Sequence, residues 1–154
     1  MTSHVADVLW VRGEQPFLDN RYSRRHTIRF DGGLELSASS SPHVVPIPFS
    51  DPGAVDPEEL LVAALSNCHM LWFLSIAVKR GFRVDRYADS AEGRMATNAA
   101  GKEYVATVTL RPDVTFSGDR LPRNDEIAAM HHEAHDECYI ANSVLTVVQV
   151  EPVL

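Results

Sequence analysis

The stretch LLVAALSNCHMLWFLSIAV, from Leu60 to Val78, constrains the fold most, because nineteen consecutive residues carry no charge. Its length is close to that of a membrane span. Four polar residues that are costly in lipid argue against a span: Ser66, Asn67, His69 and Ser75. The pattern therefore favours a central helix that protein covers on nearly all sides, and it predicts no membrane partner.

Capping signals mark both ends of this helix. Asp56 can serve as the N-cap, Pro57 suits the first helical position, and Glu59 completes a capping box. Gly81 is expected to end the helix, after two basic residues at its negative end. Such a helix is about 36 Å long. One small domain does not easily cover so long an apolar helix, so the sequence predicts a dimer.

The rest of the chain alternates between strand and turn patterns. Strands are predicted over residues 5–11, 26–30, 34–39, 83–97, 104–111 and 145–153, with a hairpin turn at Asp31-Gly32-Gly33. A second helix, capped by Asn124, is predicted within residues 121–144. This order of elements indicates an α+β fold. A chain of 154 residues suits a single domain over residues 1–154.

The charge of the chain excludes two classes of partner. Its net charge is −7 and its pI is about 5.4, whereas proteins that bind nucleic acid or dock on anionic lipid are expected to be basic. The N-terminal residues have neither the basic start nor the apolar core of a signal peptide, which favours a cytoplasmic location. In that compartment, two cysteines are more typical of a catalytic or metal-binding role than of a structural disulfide.

Both cysteines are predicted to face the interior. Cys68 lies in the middle of the first helix, and Cys138 continues the apolar stripe of the second, with Ile127, Met130 and Ala134. Either thiol can be a small buried hydrophobe without chemistry. Because the two face a common core, the pattern favours redox chemistry. One thiolate then takes an oxygen atom from a peroxide, and the second thiol closes a disulfide.

A thiolate in an apolar environment needs a cation, since burial alone raises the pKa of a thiol. Arginine is the best candidate because it stays charged when it is desolvated. The segment RYSRRH offers three arginines: Arg21, Arg24 and Arg25. Glu58 and Glu59 are candidates for the carboxylate that holds this arginine, and Glu59 is also expected in the helix cap.

Two motifs resemble those of the OsmC/Ohr family, which comprises osmotically inducible protein C and the organic hydroperoxide resistance proteins. They are DPEELLVAALSNC, which ends at Cys68, and AHDEC, which ends seventy residues later at Cys138. The resemblance covers most of the chain and points to the generic OsmC-like branch. It implies an OsmC-like fold, in which β-sheets wrap around two central helices in an intertwined homodimer.

The resemblance also implies a function, the reduction of organic hydroperoxides by an external dithiol or lipoyl-type reductant, without a cofactor. By position, Cys68 matches the peroxidatic cysteine and Cys138 the resolving cysteine. Glu58 matches the glutamate that orients the arginine of the family. Arg24 matches that arginine, although the positions of Arg21 and Arg25 also suit it. The chain departs from the family at Tyr139, where proline is usual, and at the pair His69-Met70, which is usually more apolar.

The position of Glu58 raises a geometric question. Glu58 precedes Cys68 by ten residues, which correspond to about 15 Å along a helix. If both residues are helical, they cannot share a site within one chain. Either each active site is built across the dimer, with Glu58 supplied by the second copy, or the helix begins later.

Two further interpretations stay open. His131 and His135 are four residues apart on one helical face and Cys138 follows, which is a spacing typical of metal ligands. An exposed face of solvated histidines explains the same pattern, and we predict no metal. The alternative to an enzyme is a non-enzymatic, stress-related protein that binds a hydrophobic ligand in its dimer pocket.

Overall fold

A computed structural model describes residues 1–154. The chain forms two compact units, residues 1–60 and residues 61–154. The elements are β1 (Ala6–Leu9), β2 (His26–Phe30), β3 (Glu35–Ala38), α1 (Pro57–Lys79), β4 (Arg83–Asp89), β5 (Glu92–Thr97), β6 (Glu103–Leu110), β7 (Pro112–Ser117), α2 (Asn124–Glu137) and β8 (Val147–Val150). The predicted α+β class is confirmed.

The first unit contains an antiparallel sheet in the order β1-β2-β3. The predicted hairpin turn joins β2 to β3, which pair with Ile28 opposite Leu36. At this turn Gly33 donates its N–H to the carbonyl of Phe30 at 2.9 Å and adopts a φ of +88°. Glycine is favoured there because it has no Cβ to clash in the left-handed region. The hairpin prediction is therefore confirmed.

Helix α1 begins and ends where the sequence predicts. The side chain of Glu59 accepts the N–H of Asp56 at 3.0 Å, and the side chain of Asp56 accepts the N–H of Glu59 at 2.7 Å. At the other end Gly81 adopts a φ of +77°, and the N–H of Phe82 reaches back to the carbonyl of Ala77 at 2.9 Å. These bonds satisfy backbone groups that a helix end leaves without partners.

Only one side of α1 is buried within the chain. The buried positions are Leu65, His69, Phe73, Ile76 and Ala77. On other sides Leu71 is 57% exposed and Val78 is 76% exposed. A single chain therefore leaves part of the helix uncovered, which agrees with the expectation that one small domain does not easily cover it. By length and composition α1 could cross a membrane, but a core helix of a soluble protein passes the same test.

The second unit contains a β4-β7 pair and a sheet in the order β5-β6-β8, where β8 runs parallel to β6. The prediction of one strand over residues 83–97 is wrong, because β4 and β5 pair in different sheets. Between them the side chain of Asp89 accepts the backbone N–H of Arg111 at 2.6 Å. Strand β7 was not predicted. It begins at Pro112, a position where the missing N–H of proline is tolerated.

Helix α2 is shorter than the sequence predicts. It ends at Glu137, so Cys138 is the first residue beyond it, with an extended ψ of 111°. A short 3₁₀ turn follows at Ala141–Ser143. The N-cap is Arg123 rather than Asn124, and its backbone N–H donates to the side chain of Glu126 at 3.0 Å. Glu126 therefore satisfies the N–H of the cap residue, and the predicted asparagine cap is wrong.

Two apolar clusters form the core of the second unit. The larger one brings α1 against α2 and comprises Phe73, Ile76, Ala77, Phe82, Met130 and Ala134. The other consists of Leu65, Val108 and Leu110. Full burial of a large aliphatic or aromatic side chain contributes about 1.5–3 kcal/mol. Along α1, Cys68 lies between Leu65 of one cluster and Phe73 of the other, so both clusters fix the turn that carries this thiol.

Candidate functional site

The two thiols meet in the second unit. Cys68 on α1 is half-buried, whereas Cys138 is 1% exposed, and neither forms a disulfide. The side chains of Cys138 and Cys68 lie close enough for Cys68 to affect the pKa of the Cys138 thiol. The structure therefore brings the two cysteines together, with Cys138 on the turn after α2 and not on the helix itself.

The surroundings of Cys138 hold its proton in place. Burial, followed by the neighbouring Cys68 side chain, raises the pKa of the Cys138 thiol to about 11. The backbone N–H of Ala141 donates to Cys138 Sγ at 3.4 Å and acts in the opposite direction. A raised pKa means that the protonated form of the Cys138 thiol is stabilised in this position.

The turn after α2 fixes the position of Cys138. The carbonyl of Cys138 accepts the backbone N–H and the Nδ2 of Asn142, both at 3.0 Å. Asn142 Nδ2 also donates to the carbonyl of Asp136 at 2.8 Å. The hydroxyl of Ser143 donates to the carbonyl of Tyr139 at 2.7 Å. Asn142 therefore ties the last turn of α2 to the 3₁₀ turn and holds the thiol between them.

An aromatic pair joins the same two segments that carry the thiols. The rings of Trp72 and Tyr139 have centroids 5.5 Å apart and planes inclined by 87°, an edge-to-face arrangement. Trp72 is half-buried and lies one helical turn after Cys68, whereas Tyr139 follows Cys138 directly and is 69% exposed. The sequence marked Tyr139 as a departure from the family but gave no sign of its contact with Trp72.

Two buried histidines were missed. His69 and His131 are almost completely buried, so an exposed histidine face is the wrong interpretation for His131, although it holds for His132. Their positions carried the signal, because His69 continues the stripe of Leu65 and Phe73 at intervals of four residues. Position on an apolar stripe predicts burial better here than residue type does.

The histidine pattern of α2 contributes to a pocket rather than to a cluster of metal ligands. The pocket has a volume of about 260 Å³ and is lined by Ala128, His131, His132, His135, Val148, Val150 and Pro152. No group of three or more histidine, cysteine, aspartate or glutamate side chains is arranged to hold a metal ion. Neither thiol lines this pocket.

The other predicted site residues lie in the first unit. Arg24 donates to the carbonyls of Asn20 and Tyr22 and to Asn20 Oδ1, and its guanidinium stands 3.7 Å from the centroid of the Tyr22 ring. Glu58 is half-buried in the first turn of α1. Their assignment to the thiol site stays a prediction.

The two alternative arginines are engaged within the same unit. Arg25 forms an ion pair with Asp51 at 2.9 Å. Arg21 lies over the ring of Phe49, with 5.8 Å between the guanidinium carbon and the ring centroid. Arg25 therefore already has a carboxylate partner, whereas the side chains of Arg24 and Arg21 form no ion pair in the structure.

Comparison with known proteins identifies relatives over the full length of the chain. A family model described as OsmC-like protein matches residues 50–152. An OsmC-like protein of unknown function from Vibrio cholerae is 52% identical, and the match covers 99% of this chain and 100% of that one with a TM-score of 0.97. No curated protein matches the chain.

More distant solved structures share the fold. An organic hydroperoxide resistance protein OsmC from Legionella pneumophila has a TM-score of 0.74 at 16% identity, over 100% of this chain and 98% of that one. The organic hydroperoxide resistance protein OhrB of Bacillus subtilis has a TM-score of 0.67 at 14% identity, over 99% of this chain and 98% of that one. At these identities the likeness concerns the fold alone.

Proposed function

Because this chain belongs to the OsmC-like family, we propose that it is a thiol-dependent peroxidase that reduces organic hydroperoxides. The observation that carries the proposal is the proximity of two free thiols, Cys68 and Cys138, whose side chains lie close enough to interact. Two structurally similar proteins are described as organic hydroperoxide resistance proteins, which is consistent with this chemistry.

The first step oxidises Cys68. Its thiolate attacks the terminal oxygen of the hydroperoxide, a sulfur–oxygen bond forms and the oxygen–oxygen bond breaks. Cys68 becomes a sulfenic acid, and the alkoxide that leaves takes up a proton to become an alcohol. The half-buried position of Cys68 suits this step, because peroxide must reach the sulfur while most water is kept away.

The second step closes a disulfide. The thiolate of Cys138 attacks the sulfenic sulfur of Cys68, and the hydroxide that leaves takes up a proton to become water. The N–H of Ala141 donates to Cys138 Sγ and lowers the pKa of this thiol, which supports its ionisation before the attack. An external dithiol or lipoyl-type reductant then opens the disulfide by thiol exchange.

The cation that stabilises the reacting thiolate is part of the proposal. We assign it to Arg24, with Arg21 as the alternative, and we assign its orientation to Glu58. Since α1 is continuous from Pro57, Glu58 and Cys68 stand about 15 Å apart along one helix. A later start of the helix no longer explains how they share a site. We therefore propose a homodimer in which the Glu58 of each copy serves the thiol of the other.

The location of the protein follows from the same chemistry. Both cysteines are free, and a thiol peroxidase needs a reducing compartment to recover its thiols. We therefore propose that it acts in the cytoplasm.

One assay tests the function. The protein is mixed with a dithiol, either dithiothreitol or dihydrolipoamide, and with cumene or tert-butyl hydroperoxide. The loss of peroxide is then followed for wild-type and for Cys68→Ser protein. We expect multiple turnovers that the substitution abolishes. Peroxide loss that survives Cys68→Ser would falsify the assignment of the nucleophile, and no loss with wild-type protein would favour a ligand-binding protein.

Cys138→Ser distinguishes the second step from the first. We expect one oxidation of Cys68 per chain, followed by accumulation of its sulfenic acid and further oxidation, because no second thiol resolves it. Mass spectrometry of peroxide-treated protein measures both products. Full multi-turnover activity of this variant would mean that Cys138 does not resolve.

A further inference from the structure

We infer that Trp72 and Tyr139 form an aromatic wall beside the thiols and make the site selective for hydroperoxides that carry an aromatic ring. This inference rests on the proposed function, because it names the substrate class of the same site. The two residues are called the aromatic pair below. Neither residue belongs to the two motifs that end at Cys68 and Cys138.

Helix geometry places the first ring over Cys68. Trp72 follows Cys68 by four residues on α1, so the two side chains share one face of the helix. Side chains in a helix lean towards its N-terminus, so a residue covers the turn that precedes its own Cα. The indole of Trp72 therefore covers the turn that carries Cys68.

The second ring is held by the turn that positions Cys138. Tyr139 follows Cys138, and its carbonyl accepts the hydroxyl of Ser143 at 2.7 Å. The carbonyl of Cys138 accepts two hydrogen bonds from Asn142. With its backbone fixed on both sides, Tyr139 meets Trp72 edge to face. The contact between the two rings thus spans the same two segments as the contact between the two thiols.

The exposure of Tyr139 leaves part of its ring free for a ligand. The Tyr139 side chain is 69% exposed. The apolar faces of its ring therefore gain free energy when a ligand covers them. A third aromatic ring can add to the pair by offset stacking or by an edge-to-face contact. Such contacts favour an aromatic over a saturated ring of equal bulk by about threefold to tenfold.

The test compares two substrates that differ only in the ring. Cumene hydroperoxide carries a phenyl group, and its ring-saturated analogue carries cyclohexyl with nearly the same bulk. For wild-type protein we expect kcat/KM to be about threefold to tenfold higher with the phenyl substrate. Tyr139→Leu should bring this ratio close to one, and Tyr139→Phe should keep it. Tyr104→Leu, a change of a partly exposed tyrosine on β6, is the matched control and should also keep it.

A binding measurement separates failure of this inference from failure of the proposed function. The chain has two tryptophans, so Trp10→Phe leaves Trp72 as the single indole reporter. In this background with Cys68→Ser, cumyl alcohol should change the Trp72 fluorescence with a lower Kd than its ring-saturated analogue. Tyr139→Leu should remove that difference.

The two assays give distinct outcomes. Turnover with an unchanged substrate ratio in Tyr139→Leu overturns the aromatic wall and leaves the peroxidase intact. Selective binding of cumyl alcohol without turnover supports the aromatic wall as a ligand site and overturns the peroxidase. Equal binding of both alcohols to the Trp10→Phe, Cys68→Ser protein with an intact Tyr139 overturns the inference whatever the turnover.

Discussion

His69 on α1 and His131 on α2 are joined by a hydrogen bond between their rings, with 3.0 Å between His69 Nε2 and His131 Nδ1. The two rings are nearly parallel, and His131 also stacks on Phe73 at 4.1 Å between centroids. Burial is the main cause that lowers the pKa of His69 to about 4 and that of His131 to about 3. One ring must donate and the other accept, so the bond requires that the rings are not both protonated.

This pair predicts that the protein loses stability in mild acid. The unfolded chain takes up protons near pH 6.5, whereas the folded rings resist protonation until about pH 4 and 3. Stability from the pair is therefore fully present above pH 6.5 and is lost as the pH falls towards those values. The free energy of unfolding should drop by about 2 kcal/mol per histidine between pH 7 and 5. Urea unfolding at both pH values measures it.

A double substitution shows whether this pair is the cause. His69→Leu with His131→Leu replaces both partners by apolar groups, which leaves no buried donor or acceptor behind. The difference in unfolding free energy between pH 7 and 5 should then shrink to what other groups contribute. His132→Gln, at an exposed neighbouring position, is the control and should keep most of the wild-type difference. An unchanged difference in the double variant would contradict the prediction.

A close contact between β5 and α1 predicts an effect of Gly93→Ala. A Cβ at residue 93 would meet Val62 Cγ2 at 2.6 Å, which forces one element to shift. Overpacking of this kind costs about 1–3 kcal/mol of unfolding free energy, as denaturant titration should show. Val62→Ala makes room and should restore part of the loss. Gly32→Ala, where an added Cβ meets nothing within 4 Å, should change stability little. A Gly93→Ala protein as stable as wild type would contradict the contact.

The sequence predicts those parts of the fold that depend on local signals. The cap of α1 needs only Asp56 and Glu59, and the hairpin needs only the glycines after Asp31, so short segments decide both. The break between β4 and β5 lies beside a hydrogen bond from the backbone N–H of Arg111 to the side chain of Asp89. These two residues are 22 positions apart, so no local sequence pattern reveals the break. For the same reason β7, whose pairing with β4 is a long-range event, was missed.

The candidate site shows the same division. The two cysteines are recognisable by motif and spacing, and the structure brings them together. The contact between Trp72 and Tyr139, like that between His69 and His131, depends on how α1 packs against the end of α2. Such packing depends on the shapes of many side chains at once. A single sequence therefore indicates which chemistry is available, but not which neighbours tune it.

The hydrogen bonds of Asn142 predict a defect confined to disulfide closure. Asn142→Ala removes two bonds from its side chain, to the carbonyls of Cys138 and Asp136, and should cost about 1–2 kcal/mol of stability. Because the turn then holds Cys138 less firmly, the disulfide should form more slowly while oxidation of Cys68 by peroxide keeps its rate. Rapid-quench mass spectrometry separates the two steps.

A control variant distinguishes a specific effect from loss of stability. Asn98→Ala removes two side-chain hydrogen bonds in the β5–β6 turn, those from the N–H groups of Ala100 and Lys102. It should cost comparable stability and leave disulfide closure unchanged. Equal slowing in Asn98→Ala and Asn142→Ala would show that the turn after α2 has no special part in resolution.

The continuity of α1 predicts that inactive variants complement one another in a mixed dimer. Cys68→Ser removes the proposed nucleophile and Glu58→Gln removes the charge proposed to orient the arginine, so each homodimer should be impaired. When the two variants are refolded together and the mixed dimer is isolated by two different tags, one site contains an intact Cys68 from one copy and an intact Glu58 from the other. If Glu58 acts across the interface, as its distance of about 15 Å along the helix requires, this mixed dimer regains peroxide turnover. If Glu58 acted within its own chain, neither site would be complete and the mixed dimer would stay as impaired as its parents. Elution of the wild-type protein as a monomer that is fully active on dilution would rule out the shared site altogether.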